Sequence, residues 1–68
     1  MFVVYGRLVG SRIKIVYQDG DKVFSIKGEL LDWNPDLKVL LIHNDLKHKD
    51  VYINASVIQR LEPLGDDE

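Results

Sequence analysis

The run at residues 22–33, KVFSIKGELLDW, most limits what this chain can become. Phe24, Ile26, Gly28 and Leu30 share one face of a strand with a period of two. Leu31 and Trp33 then fall on the opposite phase. A phase switch inside one strand requires a bulge or a sharp bend. Gly28 supplies a place where the backbone can bend or come close to a neighbour. A long, bent strand of this kind is how a five-stranded sheet closes on itself.

The flanks of this run read as its antiparallel partners, so that residues 10–42 form three consecutive strands. Ile13, Ile15 and Tyr17 alternate with Arg12, Lys14 and Gln18, and Val16 is the one apolar residue on the outer side. Asp19 and Gly20 follow as a tight hairpin turn, because both tolerate left-handed backbone. Asn34, Pro35 and Asp36 read as a loop. Leu37, Val39 and Leu41 alternate beyond it. Their opposite face carries Lys38, Leu40 and Ile42, so two apolar residues there need a cover from the N-terminus or from another chain.

The rest of the chain is shorter in its signals. Residues 1–9 favour a strand by β-propensity or form a short helix; Gly6 and Gly10 weigh against the helix. Residues 43–50 are polar and read as a loop, with a hairpin turn at Asn44 and Asp45. Val51, Tyr52 and Ile53 form a short strand. Asn54, Ala55 and Ser56 form a connector with one 3₁₀ turn, and residues 57–61 form the last strand. The expectation is one all-β domain over residues 1–68: a small, five-stranded, strongly bent SH3-like barrel with a core over residues 8–62 and an acidic tail at 63–68. The N-terminal segment adds a helix or an extra strand.

Size bears on partners. A chain of 68 residues buries only about 60% of its unfolded surface, which leaves stability marginal. Small domains add disulfides, a metal or oligomerisation. With no cysteine, disulfides and thiolate zinc sites are excluded, and oligomerisation becomes the expected supplement. A net charge of −2 is no footprint for double-stranded DNA. No apolar run reaches the ~20 residues of a membrane span. The opening residues lack a charged signal-peptide start, so a cytoplasmic location is expected.

These residues resemble the Sm-like (LSm) family. Gly10, Ile13, Ile15 and Gly20 fit the opening of its first motif, and Gly28, Leu30, Trp33, Leu37, Val39 and Leu41 fit the remainder. Ile53, Ile58 and Leu61 fit the apolar positions of the second motif. The resemblance covers residues 8–62. The gap from Gly20 to Gly28 is longer than the usual motif. The motif's Asp is Asn34 here, its Asn is Lys38, and its Arg and Gly are Asn54 and Ala55. The position that often carries a base-stacking aromatic is Asp36. The barrel pattern survives and most of the uridine pocket does not. The C-terminal barrel of bacterial ribosome-maturation factors shares the Gly–basic–apolar opening, and Tudor and other SH3-like modules stay open as alternatives.

The resemblance implies a homo-oligomeric ring that binds single-stranded RNA at the loops carrying Asn34, Asp36, Lys38, Asn54, Ala55 and Ser56. Asn34 and Asn54 would bond base edges, and Lys38 repeated round a ring would form a basic annulus. Asp36 would repel phosphate. The plainer reading is a turn beside a solvated lysine, which leaves a protein-interaction or assembly module without the pocket. The subunit interface would pair the strand of Val51, Tyr52 and Ile53 with a neighbour's Val57, Gln59 and Leu61. Trp33 reads as core, and Tyr52 as exposed or interfacial. His43, His48, Asp45 and Asp50 match no standard metal spacing, and Asp19, Asp21 and Glu29 lack the ligand spacing of a calcium loop. Ser11, Ser25 and Ser56 sit in no nucleophile motif. The expectation is therefore no cofactor, no metal and no enzymatic activity.

Overall fold

The computed structural model describes residues 5–65. It holds one five-stranded antiparallel sheet in a small barrel-like fold. Strand β1 is Arg12–Asp19, β2 is Lys22–Asn34, β3 is Val39–Asn44, β4 is Lys49–Asn54 and β5 is Ile58–Pro63. Their order in the sheet is β4-β3-β2-β1-β5. The two strands nearest the C-terminus therefore lie at opposite edges.

The bend sits in β2, as the phase switch requires. Leu30 faces Ile42, but Asp32 already faces Leu41. One β3 step spans two β2 steps, and Leu31 is the extra residue of a bulge. The bulge turns Leu30 and Trp33 to the same side although they are three apart. Residues 22–29 of β2 pair with β1, and Leu30 and residues 32–34 pair with β3. Gly28 lies where the two halves pinch. A Cβ there would come within 1.6 Å of the His43 carbonyl oxygen, so only glycine fits. A second bulge lies in β5, where Val16 faces Arg60 and Tyr17 faces Ile58, leaving Gln59 extra.

Ile13, Ile15, Ile26, Leu30, Leu40, Ile42 and Ile53 form the core. Each fully buried aliphatic side chain contributes about 1.5–3 kcal/mol relative to exposure. A 3₁₀ turn at Tyr5–Leu8 closes one side: Tyr5 and Leu8 pack on the core, and the Tyr5 ring lies 4.6 Å from that of Trp33. This is the short-helix alternative for the N-terminal segment, reduced to one turn; residues 1–4 lie outside the described residues. The turn is held by Ser11 N–H donating to Leu8 C=O at 2.9 Å and Gly10 N–H donating to Leu30 C=O at 2.8 Å.

Four expectations are corrected. The core face of β3 is Leu40 and Ile42, while Val39 and Leu41 are only half-buried and Leu37 lies in the turn before the strand, 68% exposed. Both faces of this strand are apolar, and the Leu31 bulge selects which one turns inward. Half of the polar stretch at residues 43–50 is strand: His43 pairs with Asp50 and Asn44 with Lys49. The loop is residues 45–48, and the Asn44 side-chain oxygen accepts from Leu46 and Lys47 N–H. Phe24, read with the core face, lies beyond the core near the hairpin end and is 42% exposed. The last strand starts at Ile58, because Val57 belongs to the 3₁₀ turn Ala55–Val57, and it runs on to Pro63, so the tail begins after Pro63 rather than at it.

Candidate nucleic-acid and assembly surfaces

Two loops far apart in sequence meet at one end of the sheet. Asn34 pairs with Val39, and Val39 pairs with Asn54 on its other side. Ala55 N–H donates to the Lys38 carbonyl at 2.8 Å. The six residues Asn34, Asp36, Lys38, Asn54, Ala55 and Ser56 thus share one edge of the molecule, beside β4. The convergence follows from the β2–β3 and β3–β4 registers rather than from direct side-chain contact.

Local chemistry shapes this end. The Asn34 side-chain oxygen accepts from Asp36 N–H and Leu37 N–H, both at 3.0 Å. The Asn54 side-chain oxygen accepts from Ser56 N–H at 2.9 Å and caps the 3₁₀ turn. The Asn34 oxygen thus spends both its acceptor positions on its Asx turn and leaves only its NH₂ donor for a ligand, while the Asn54 oxygen accepts one bond and keeps a second position beside its NH₂. Lys38 holds a positive φ of 56°, an unusual conformation for a residue with a Cβ. It makes no ion pair among the described residues, so its ammonium is open to an anion. Asp36 is equally exposed nearby.

The edges are the second surface. Neither β4 nor β5 pairs on its outer side within the described chain. An unpaired edge presents a row of backbone donors and acceptors ready for another strand. Of the expected interface residues, Ile53 is core, and Val51 and Leu61 pack partly against it. Their side chains serve this chain, so a neighbour would meet mainly the backbone there. Tyr52 is 74% exposed, Val57 is partly exposed, and Gln59 is tied through its NH₂ to the Gln18 side-chain oxygen at 2.8 Å. Tyr52 also borders a groove of about 300 Å³ with Asp32, Asn34, Leu37, Val39 and Leu41. This groove adjoins the candidate RNA loops.

A third place lies apart from the loops and the sheet edges. A depression of about 540 Å³ is bordered by Arg12, Lys14, Lys27 and Lys47, with Tyr17, Phe24 and Ile26. Arg12 donates to Asp45 at 2.5 Å. That hydrogen bond, more than the charge of Arg12 itself, holds the Asp45 carboxyl below its ordinary value against the opposing effect of desolvation. The same bond raises the Arg12 guanidinium. The hairpin turn is Gly20 and Asp21, one residue later than the expected Asp19 and Gly20, and this shift sets Lys14 opposite Lys27 rather than Ser25.

His43 Nδ1 lies 2.8 Å from an Asp50 carboxylate oxygen, a cross-strand pair on β3 and β4. The described residues hold no group of three or more potential metal ligands. No described helix is long and apolar enough to cross a membrane. Comparisons with protein-family models, with curated proteins and with solved structures returned no match to this chain.

Proposed function

We propose that this chain is an Sm-like, ring-forming protein that binds single-stranded RNA as a scaffold or chaperone in the cytoplasm. Copies would join by pairing β4 of one with β5 of the next, through backbone hydrogen bonds. The observation that carries the reading is the convergence of Asn34, Lys38, Asn54 and Ser56 at one end of the sheet, next to an open edge strand. Assembly along that edge would bring one set of these loops from each copy round a common centre. Lys38 would then form an annulus of positive charge on a subunit whose net charge is −2. Short-range attraction suffices for this, because charges more than about 8 Å apart are screened at physiological salt.

The Asn34 and Asn54 NH₂ groups would donate to base carbonyls, and the Lys38 ammonium would meet phosphate. Catalysis has no part in this reading. A second reading has its own observation. The Asn34 side-chain oxygen is consumed by its turn and the Asn54 oxygen is partly engaged, and Asp36 lies on the same loop as Lys38. These favour an assembly module that kept the barrel and lost the RNA pocket.

The test is the affinity of the protein for a labelled oligo-uridine as salt is raised. RNA binding at the loops predicts a log–log slope of about −0.7 per phosphate neutralised. Lys38→Ala should weaken binding and make the slope shallower. An affinity that ignores Lys38→Ala would remove the loop site and leave the assembly module.

A further inference from the structure

The hydrogen bonds within one copy decide what each open edge can offer another. In an antiparallel ladder, opposite residues alternate between pairs that exchange hydrogen bonds and pairs whose N–H and C=O groups point away. Ala55 N–H donates to the Lys38 carbonyl at 2.8 Å. In the β3–β4 register the bonded pairs are therefore Leu40 with Ile53 and Ile42 with Val51. Asp50, Tyr52 and Asn54 turn their backbone groups to the open edge of β4. Leu64 N–H donates to the Arg12 carbonyl at 2.9 Å, so β5 bonds to β1 through Glu62 and Arg60. Leu61 and Pro63 face the open edge of β5, and Pro63 has no N–H to give. The bulge at Gln59 ends regular pairing on the other side of Leu61. The regular part of the β5 edge thus offers one full donor–acceptor pair, at Leu61.

The side chains at the two edges lie on opposite faces. Asp50, Tyr52 and Asn54 share the outer face with Val39 and Leu41. Leu61 lies on the core side, beside Ile15. Residues opposite each other in a sheet send their side chains to the same side. An antiparallel joint therefore sets the outer face of β4 beside the core side of the next copy's β5, where Leu61 and Ile58 are half-buried. A parallel joint would set Tyr52 beside Arg60 and Glu62 instead. Only the antiparallel joint places Tyr52, 74% exposed, against apolar side chains. With Asp50 opposite Leu61, Pro63 falls beyond the end of β4, and Lys49 stands opposite Glu62. Registers that set Tyr52 or Asn54 opposite Leu61 would leave a β4 carbonyl facing Pro63 without a donor. Lys49 makes no ion pair among the described residues. Glu62 is held only by the exposed Arg60, a weak pairing in water.

We propose that β4 of one copy pairs antiparallel with β5 of the next in a single register, Asp50 opposite Leu61. Lys49 then pairs with Glu62, and Tyr52 covers Leu61 and Ile58 on the neighbour's core side. The proposal rests on the ring reading, whose joint it specifies, and needs neither RNA nor Lys38.

The chain has no cysteine, so introduced cysteines read the joint directly. Opposite residues of a non-hydrogen-bonded pair lie about 4.5 Å apart at Cα, within reach of a disulfide. The full chain carrying Lys49→Cys and Glu62→Cys, gently oxidised, should give a ladder of covalent multimers on a non-reducing gel. The two positions sit at opposite edges of the sheet, so the bond forms between copies. In the cysteine-free chain, Lys49→Glu should weaken association severalfold, and Lys49→Glu with Glu62→Lys should restore it. Preferential cross-linking of Val51→Cys with Glu62→Cys would mean a slipped register. Preferential cross-linking of Asp50→Cys with Arg60→Cys would mean a parallel joint. Dimers through Tyr52→Cys alone would mean two β4 edges paired with each other. Each of these would overturn the proposal while self-association stands. A single-chain species by sedimentation, with no cross-link in any variant, would overturn the ring reading as well.

Discussion

The two halves that β2 joins have similar cores and opposite surfaces. In the half made of β5, β1 and the start of β2, the outward positions include Arg12, Lys14, Lys27, Glu29, Arg60 and Glu62. In the half made of the end of β2, β3 and β4, they form an apolar strip of Val39, Leu41 and Tyr52, with Leu37 beside it, set among Asp32, Asn34, His43 and Asp50. A charged sheet face is satisfied by water or by a polyanion. An apolar one next to an open edge is best satisfied by another protein surface. In the proposed assembly a neighbouring copy would cover this strip beside β4.

The joint between the halves is the most sensitive point. Gly28→Ala would drive a Cβ into the His43 backbone, which no rotamer change relieves. The expected cost is at least about 3 kcal/mol, read as a large drop in the denaturation midpoint or as failure to fold. A Gly28→Ala protein of ordinary stability would show that the halves are not pinched there.

A smaller effect separates assembly from folding. Tyr52→Ala removes a side chain that is mostly in solvent, so monomer stability should change by less than about 0.5 kcal/mol. If Tyr52 anchors the neighbouring copy, association should weaken by about 2 kcal/mol. Sedimentation against urea melts reads both. An equal loss in the two would place Tyr52 in the fold rather than in the interface.

The β1–β2 half has its own probe in the Arg12–Asp45 pair. The folded Asp45 carboxyl titrates below its ordinary value of 3.8, chiefly because Arg12 donates to it. The unfolded chain therefore takes up the proton first as the pH falls. The pair's contribution is complete above 3.8 and disappears as the pH falls through the folded value. Asp45→Asn should lower stability near neutrality and flatten the acid limb of the stability curve, converging with the parent at low pH. Parallel acid limbs would exclude a linked role for the pair.

The smallest effect concerns the loop end. Lys38→Gly relieves a positive φ that costs a residue with a Cβ about 1 kcal/mol, partly offset by the greater freedom of glycine when unfolded. A neutral to slightly raised melting temperature is expected, together with weaker RNA binding. Lower stability would mean that the Lys38 side chain supports the turn.

Much of the fold was legible because alternation and glycine placement are local signals. The Ile13 and Ile15 face and the bend after Leu30 follow from residue spacing, and Gly28 marks a place for close approach, though only the structure shows that the His43 carbonyl is what approaches. What escaped depends on tertiary choices. Leu40 and Leu41 are chemically alike, and only the bulge at Leu31 decides which is buried. His43, Asn44, Lys49 and Asp50 look like loop residues, yet they extend a ladder because each has a partner across the hairpin. The convergence of the Asn34 and Asn54 loops was suggested by the family resemblance, and the strand registers supply its geometry. The cationic depression escaped because Lys14 and Lys27 become a pair only once the hairpin register is known.

Edge-to-edge assembly with RNA at the loops is the claim on which the functional account turns, and native mass spectrometry with and without a short oligo-uridine tests it most directly. The account predicts one fixed multiple of the 7.8 kDa chain, shifted upward by the mass of bound RNA. A single-chain species at every concentration, unchanged by RNA, would contradict it.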